Sequence, residues 1–237
     1  MKNVLAEAHV PESAFGKWFL RSKTWTDYVL EVALEDLTDL LKHSPKTFNV
    51  IADVGCGYGH SITKLHARFN PERLIAMDID QEMLDETKKQ VAAHNLNNVD
   101  YVRCSSSMID LEDNSVDMLF CHQTFHHLIY QPEALQEFLR ILKPGGTLLF
   151  AESTKRYIHS WIIKLLFRHP MSVQKTADEY LDLLKSSGFE IKSEQISYPF
   201  LWWSREDLAI CENWFGIKPP TDREETLINL IATKPLA

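Results

Sequence analysis

The sequence predicts an α/β fold built on a mostly parallel sheet, and three observations carry that expectation. Strand-sized apolar runs alternate with amphipathic segments of helical length. The first such run, Asn49 to Val54, leads straight into the glycine-rich segment DVGCGYG. The alternation then repeats as far as Ala151, which is how βαβ units with buried parallel strands read.

Taken in order, Trp18, Trp25, Tyr28, Val29, Val32, Leu37 and Leu41 recur at roughly helical spacing, so one or two helices precede the sheet within residues 12–42. Ser44, Pro45 and Lys46 break that pattern. After the glycine loop and its helix, Leu74 to Met77 is predicted as a strand, Gln81 to Asn95 as a helix, and Val99 to Arg103 and Val116 to Cys121 as strands. Pro132 opens a helix that runs to Leu142, and the KPGG turn at Lys143 to Gly146 precedes a strand from Thr147 to Ala151. Farther on, Tyr157 to Arg168 and Thr176 to Ser187 are predicted as helices, the second ended by Gly188. Glu190 to Ser197 and Thr226 to Thr233 are the expected final strands. There is no internal repeat or linker, so residues 1–237 are expected to form a single domain, with insertions at 153–175 and 198–223.

Composition narrows the function. An apolar fraction of 45% in 237 residues is enough for a sizeable core, and a formal net charge of −8 argues against coating nucleic acid, which needs clustered Lys and Arg. A small-molecule substrate is expected instead. The amino terminus shows no continuous apolar h-region, and no stretch reaches the roughly 20 apolar residues of a spanning helix, so a soluble, cytoplasmic protein is expected. Cys56, Cys104, Cys121 and Cys211 form no CxxC pair, and reduced thiols follow rather than a zinc knuckle or a disulfide framework.

Gly55, Gly57 and Gly59 sit between a strand and a helix, where glycine permits a tight turn and lets a ligand approach the backbone. The G-x-G-x-x-G spacing of a dinucleotide site fails, because His60 falls at its last position. G-x-G-x-G fits. Asp78, at the end of the second strand, supplies a carboxylate that can accept from both hydroxyls of a ribose.

This combination, with Asp53 ahead of the first glycine and KPGG ahead of the fifth strand, resembles the class I S-adenosylmethionine-dependent methyltransferases, particularly the quinone-biosynthesis and small-molecule enzymes (methyltransferase type 11). The resemblance covers about Asn49 to Ala151. It implies a Rossmann-like, mostly parallel seven-stranded sheet with an antiparallel last strand and helices on both faces, and S-adenosyl-L-methionine as cofactor. It also implies that Asp53, Gly55 and Gly57 meet the methionine portion, Asp78 the ribose and Ile79 the adenine, with Cys56 joining the cofactor loop through its backbone and Ser105 and Ser106 in the adenine loop. Ser105 departs from the family's usual acid, leaving its hydroxyl, a backbone carbonyl or Met108 to serve the adenine amino group.

The fourth strand ends in CHQTFHHL, which puts Cys121, His122 and Gln123 at the carboxyl edge of the sheet where ligands of open α/β folds bind. His122 is a candidate general base and cofactor neighbour, and Glu152, closing the fifth strand, a second candidate catalytic group. A packing role for His122 and a cap or ion-pair role for Glu152 compete with these. No metal site is expected, since His126 and His127 point apart on a helix and lack a partner at i+4.

Lys155 to Pro170 combines four basic residues with an apolar series, and three readings stay open: a cap over the substrate, a homodimer contact, or a transient membrane-surface contact through 157–168. The cap leads, because the segment follows the fifth strand. Trp202, Trp203 and Arg205 are expected to wall the acceptor pocket or complete the core. The expected reaction is direct methyl transfer to a small apolar acceptor: a phenol, a quinone precursor or a lipid-like acid. A noncatalytic binding module and a nicotinamide oxidoreductase are the rivals. The acceptor atom is left undetermined, although CHQT in place of an N-P-P-Y run disfavours amino methylation of bases or glutamine.

Overall fold

The computed structural model describes residues 10, 12–42, 47–205, 214–216 and 224–236. Its centre is one seven-stranded sheet: β1 (Val50–Val54), β2 (Arg73–Asp78), β3 (Val99–Arg103), β4 (Val116–His122), β5 (Leu142–Ser153), β6 (Ile196–Ser197) and β7 (Leu227–Thr233). The order is β3-β2-β1-β4-β5-β7-β6. Strands β1 to β5 pair in parallel, while β7 runs antiparallel to both β5 and β6. The expected architecture is therefore present, with the single direction change at β7.

Alternate residues of each strand feed opposite faces. Ile51, Leu74, Met118, Phe120 and Leu149 pack on one side with α3 (Glu31–Leu41), α4 (His60–Phe69) and α5 (Gln81–Ala93). On the other side Val54, Ile75, Leu119, Leu148 and Phe150 meet α6 (Gln131–Ile141) and α9 (Ala177–Ser186). Sequence chemistry fixes several helix starts. Asp80 accepts from Glu82 N at 2.8 Å to open α5, and Thr176 and Glu179 form a reciprocal capping box at α9, each cap contributing about 1 kcal/mol. Between β3 and β4 the chain crosses as a loop. Arg140 on α6 pins it, donating to the carbonyls of Ile109 and Leu111, both at 2.7 Å, and to Asp113.

The amino-terminal segment forms α1 (Ala14–Leu20), the short α2 (Lys23–Trp25), a π-helical turn at Thr26–Leu30 and then α3. Ser13 caps α1 and its hydroxyl also donates to Leu166 O at 2.7 Å, joining this segment to the one after β5.

Three expectations are corrected. The single helix over Tyr157 to Arg168 is two, α7 (Lys155–Ile158) and α8 (Trp161–Leu166), because Ser160 turns extended at ψ 149° and ends the first. That break lets Ile158 and Ile163 both point inward while Trp161 and Leu165 stay exposed. The strand from Glu190 to Ser197 shrinks to β6 and a lone bridge between Glu190 and Thr233, with a 3-10 turn at Ser193–Gln195 where polar residues interrupt the apolar alternation. KPGG is not a free turn but the irregular start of β5: Val116 pairs with Leu142 and Met118 with Thr147, and Gly145 N donates to Lys234 O at 2.9 Å. Of the predicted insertion at 198–223, residues 206–213 and 217–223 lie outside the described residues, as does Cys211.

Candidate active site

At the carboxyl edge of β1, β2 and β4 the structure holds a cavity of about 250 Å³. Asp53, Gly55, Cys56, Gly57, Asp78, Ile79, Ser105, Ser106 and His122 all lie on its wall, so the geometry brings together every cofactor residue that the sequence singled out.

The turn after β1 is anchored by Gly55 N and Cys56 N, which donate to Met77 O at 2.8 and 3.0 Å. A Cβ placed on Gly57, which stands at φ 52°, would meet nothing nearer than Gly55 O at 4.0 Å, so the backbone here is open to a ligand. Gly59 serves a different need. It stands at φ 79°, and a Cβ there would lie 2.9 Å from Thr87 Cα, so this glycine lets α4 and α5 approach. Thr87 then closes the loop by donating to Gly57 O at 2.9 Å.

Asp78 accepts from Gly57 N at 3.0 Å and Asp80 N at 2.9 Å, which aims its carboxylate at the cavity. Asp53 is buried and receives the Ser61 hydroxyl. Burial pushes its carboxyl up to about 7, opposed by the Ser61 hydrogen bond and reinforced by the charge of Asp78. A cationic ligand group beside Asp53 would restore the charge. Arg103 Nε holds Ile79 O at 3.2 Å, while Met83, from the first turn of α5, adds an apolar wall that the sequence reading missed. Its signal was its place one turn beyond Ile79. The Ser105 and Ser107 hydroxyls share a hydrogen bond at 2.9 Å with Ser105 on the cavity wall, whereas Met108 is exposed and off it.

These features fit S-adenosylmethionine. Gly57 leaves room at the loop, a fixed carboxylate stands at the β2 edge, a buried acid can meet an ammonium, and His122 Nε2 is buried on the wall without a hydrogen-bond partner.

His122 stacks on Phe120 at 5.8 Å and lies 5.5 Å from Trp25. Burial, helped by nearby His126, lowers its pKa to about 3. It is thus neutral near pH 7 and a far weaker base than the sequence expectation required. Gln123 also lines the cavity; its backbone is left-handed at φ 51°, and its side chain accepts from Ser153 Oγ at 2.6 Å.

Glu152 is a correction. It is fully buried and off the cavity wall, with its carboxylate occupied by Thr124 N at 2.8 Å, Phe125 N at 2.7 Å and His126 Nδ1 at 2.6 Å. It shapes the turn after β4 rather than facing the cavity. Of the competing expectations for Glu152, the cap role fits this geometry, with His126 rather than Lys155 or Arg156 as the charged partner.

The far end of the cavity is lined by two segments outside the sheet. Phe19 and Trp25 come from the amino-terminal helices, and Tyr157, Ile163, Phe167 and His169 from the segment after β5. Phe19 and Phe167 meet edge to face at 5.8 Å. Trp203 completes this wall, 5.7 Å from Tyr157 and donating to Tyr28 O at 3.0 Å, whereas Trp202 is exposed. None of the amino-terminal contributions was foreseen as part of the site.

A Rossmann-like sheet of this strand order, with a glycine turn after β1 and an acid closing β2, defines the class I methyltransferase architecture. Residues 52–150 match a family described as a methyltransferase domain. It is 26% identical over 184 residues to a malonyl-[acyl-carrier protein] O-methyltransferase of Marinomonas sp., covering 76% of this chain and 66% of that protein. An uncharacterized methyltransferase-like protein of Schizosaccharomyces pombe is 34% identical over 179 residues, covering 74% and 63%. The chain therefore spans slightly less than two thirds of the length of these relatives. Among solved structures, a SAM-dependent methyltransferase from Aquifex aeolicus superposes with a TM-score of 0.63 at 20% identity, covering 92% of this chain and 96% of that one. Among the described residues no helix is long and apolar enough to cross a membrane.

Proposed function

We propose that this protein transfers a methyl group from S-adenosylmethionine to a small apolar acceptor, with phenols, quinone precursors and lipid-like acids as the leading class. One observation carries the reading: a single cavity joins the Asp53 to Gly57 turn and Asp78 to an aromatic end walled by Trp25, Phe167 and Tyr157. The cofactor supplies a methyl on a sulfonium, a group that reacts by in-line displacement when an acceptor is held in line with it. The chain's contribution is placement. Asp78 and the glycine turn orient the donor, the aromatic wall excludes water, and Gln123 and His122 stand between the two ends. With its lowered basicity, His122 acts as a hydrogen-bond partner that positions an acceptor oxygen rather than as a strong base. An acceptor that reacts as its anion then loses its proton to solvent before transfer.

The name of the Marinomonas relative supports an oxygen acceptor on an acid, and the aromatic cap supports an apolar one. The test uses purified protein, calorimetry with S-adenosylhomocysteine and methyl-labelled donor offered to extracts fractionated by polarity. One labelled product in the organic fraction is expected. Binding without any labelled product would leave a noncatalytic module, and absence of binding would overturn the reading altogether.

A further inference from the structure

Beside the aromatic end of the cavity, three histidines converge from two distant parts of the chain. His126 and His127 follow β4, and His169 follows α8. One ring nitrogen from each lies within 4.8 Å of the other two, and the ring centroids are 4.3, 4.7 and 5.1 Å apart. All three residues line the cavity. We propose that His126, His127 and His169 bind one divalent transition-metal ion of the zinc type, with an open coordination position toward the cavity.

The ligand chemistry favours such an ion. Three imidazoles with one open position are a recurrent donor set for zinc, and imidazole also suits the neighbouring first-row metals. The support behind the ligands points the same way. His126 Nδ1 meets the fully buried Glu152 carboxylate at 2.6 Å, which fixes the proton on that nitrogen and leaves Nε2 as the one with a free lone pair. A carboxylate behind a ligating histidine is the usual orienting partner at metal sites. A second carboxyl group, that of Glu12, lies 3.3 Å from His127 Nε2 on the cavity wall. Gly16 makes room for it, since a Cβ there would collide with the Glu12 carboxylate. Zinc–nitrogen bonds of about 2.0–2.1 Å place tetrahedral ligands about 3.3 Å apart, so the rings must draw in by roughly 1.5 Å or less. His169 sits on the covering segment, where side-chain rotation can supply that movement.

Such an ion would tie the covering segments to the sheet. His169 belongs to the segment after β5, Glu12 to the amino-terminal one, and the other two ligands to the core turn.

The experiment uses the tag-free full chain, stripped with chelator and titrated with zinc(II), then with cobalt(II) to read ligand-field absorption. One equivalent per chain is expected, with the intense visible bands of a four-coordinate site. His169→Ala and His127→Ala should each weaken zinc binding at least tenfold, Glu152→Gln by roughly 10- to 100-fold, and His169→Cys should restore it. His94→Ala, exposed and remote, is the control. S-adenosylhomocysteine calorimetry on the same samples separates this proposal from the cofactor reading. Retained cofactor binding with no stoichiometric zinc, or zinc bound equally by His169→Ala and the parent, would overturn the metal site alone.

Discussion

Asp53 and Asp78 lie on one wall, yet the fold treats the two acids differently. Asp78 is steadied by two backbone N–H groups, whereas Asp53 is buried and receives the Ser61 hydroxyl. Because the Asp53 pKa in the fold is raised from 3.8 to about 7, its contribution to stability is fully present below about pH 4 and is lost as pH rises through 7. A cationic ligand reverses that preference. S-adenosylhomocysteine affinity is therefore expected to rise between pH 6 and 8, with proton release on binding seen as a dependence of the calorimetric heat on buffer ionisation enthalpy. Asp53→Asn should flatten both. A wild-type affinity that stays level across this range would remove Asp53 from the ammonium site. For Asp78, replacement by Ala deletes charge-assisted hydrogen bonds of about 1.5–3 kcal/mol, equivalent to a roughly 10- to 100-fold loss of affinity.

Legibility at this scale followed locality. Gly57 and Asp78 could be placed on the cavity wall from local signals, a strand running into a glycine turn and a strand closed by an acid. The choice between the two readings of Glu152, and the place of His169 beside His126 and His127, depends on backbone donors and rings brought from elsewhere in the chain.

At the scale of elements, the strands and core helices were largely visible in the sequence, since burial on both faces forces continuous apolar runs. β3 matched its predicted bounds, and β1, β2, β4 and α5 differ only at their ends. Two of the failures sit where polar residues interrupt the pattern, at Ser160 between α7 and α8 and at Ser193 ahead of β6, and the third where KPGG joins β5. Two element contacts invite measurement. Gly59→Ala forces a methyl toward the backbone of α5 from a left-handed φ, and a loss of about 1–3 kcal/mol is expected in chemical denaturation. Were the variant as stable as the parent, close approach of α4 to α5 would not be what Gly59 provides. Glu152→Ala leaves the buried Phe125 N–H, the partly buried Thr124 N–H and His126 without their acceptor, and breaking such a constellation costs about 3–5 kcal/mol. Glu152→Gln keeps one acceptor oxygen and should lose less.

For the whole molecule, the sheet and its two apolar faces are separable from the covering layer. The core on the α3 side begins at Leu30, and α1 contributes only Gly16 to the buried set. Yet α1 reaches across the cavity: Lys17 pairs with Glu82 at 3.2 Å, Arg21 lies 4.5 Å over the Tyr58 ring, and Ser13 holds Leu166 O. These contacts are individually weak, because exposed ion pairs contribute at most about 1 kcal/mol. Their collective effect is to close the mouth where Phe19 and Phe167 meet. A chain beginning at Ser22 should therefore melt as cooperatively as the parent while binding S-adenosylhomocysteine at least tenfold more weakly. In the full chain, cofactor binding should slow hydrogen exchange in residues 14–30 and 155–169, leaving β7 unchanged. If the shortened chain fails to fold, the amino-terminal helices belong to the core. If it folds and binds as tightly as the parent, they cover nothing that the cofactor uses.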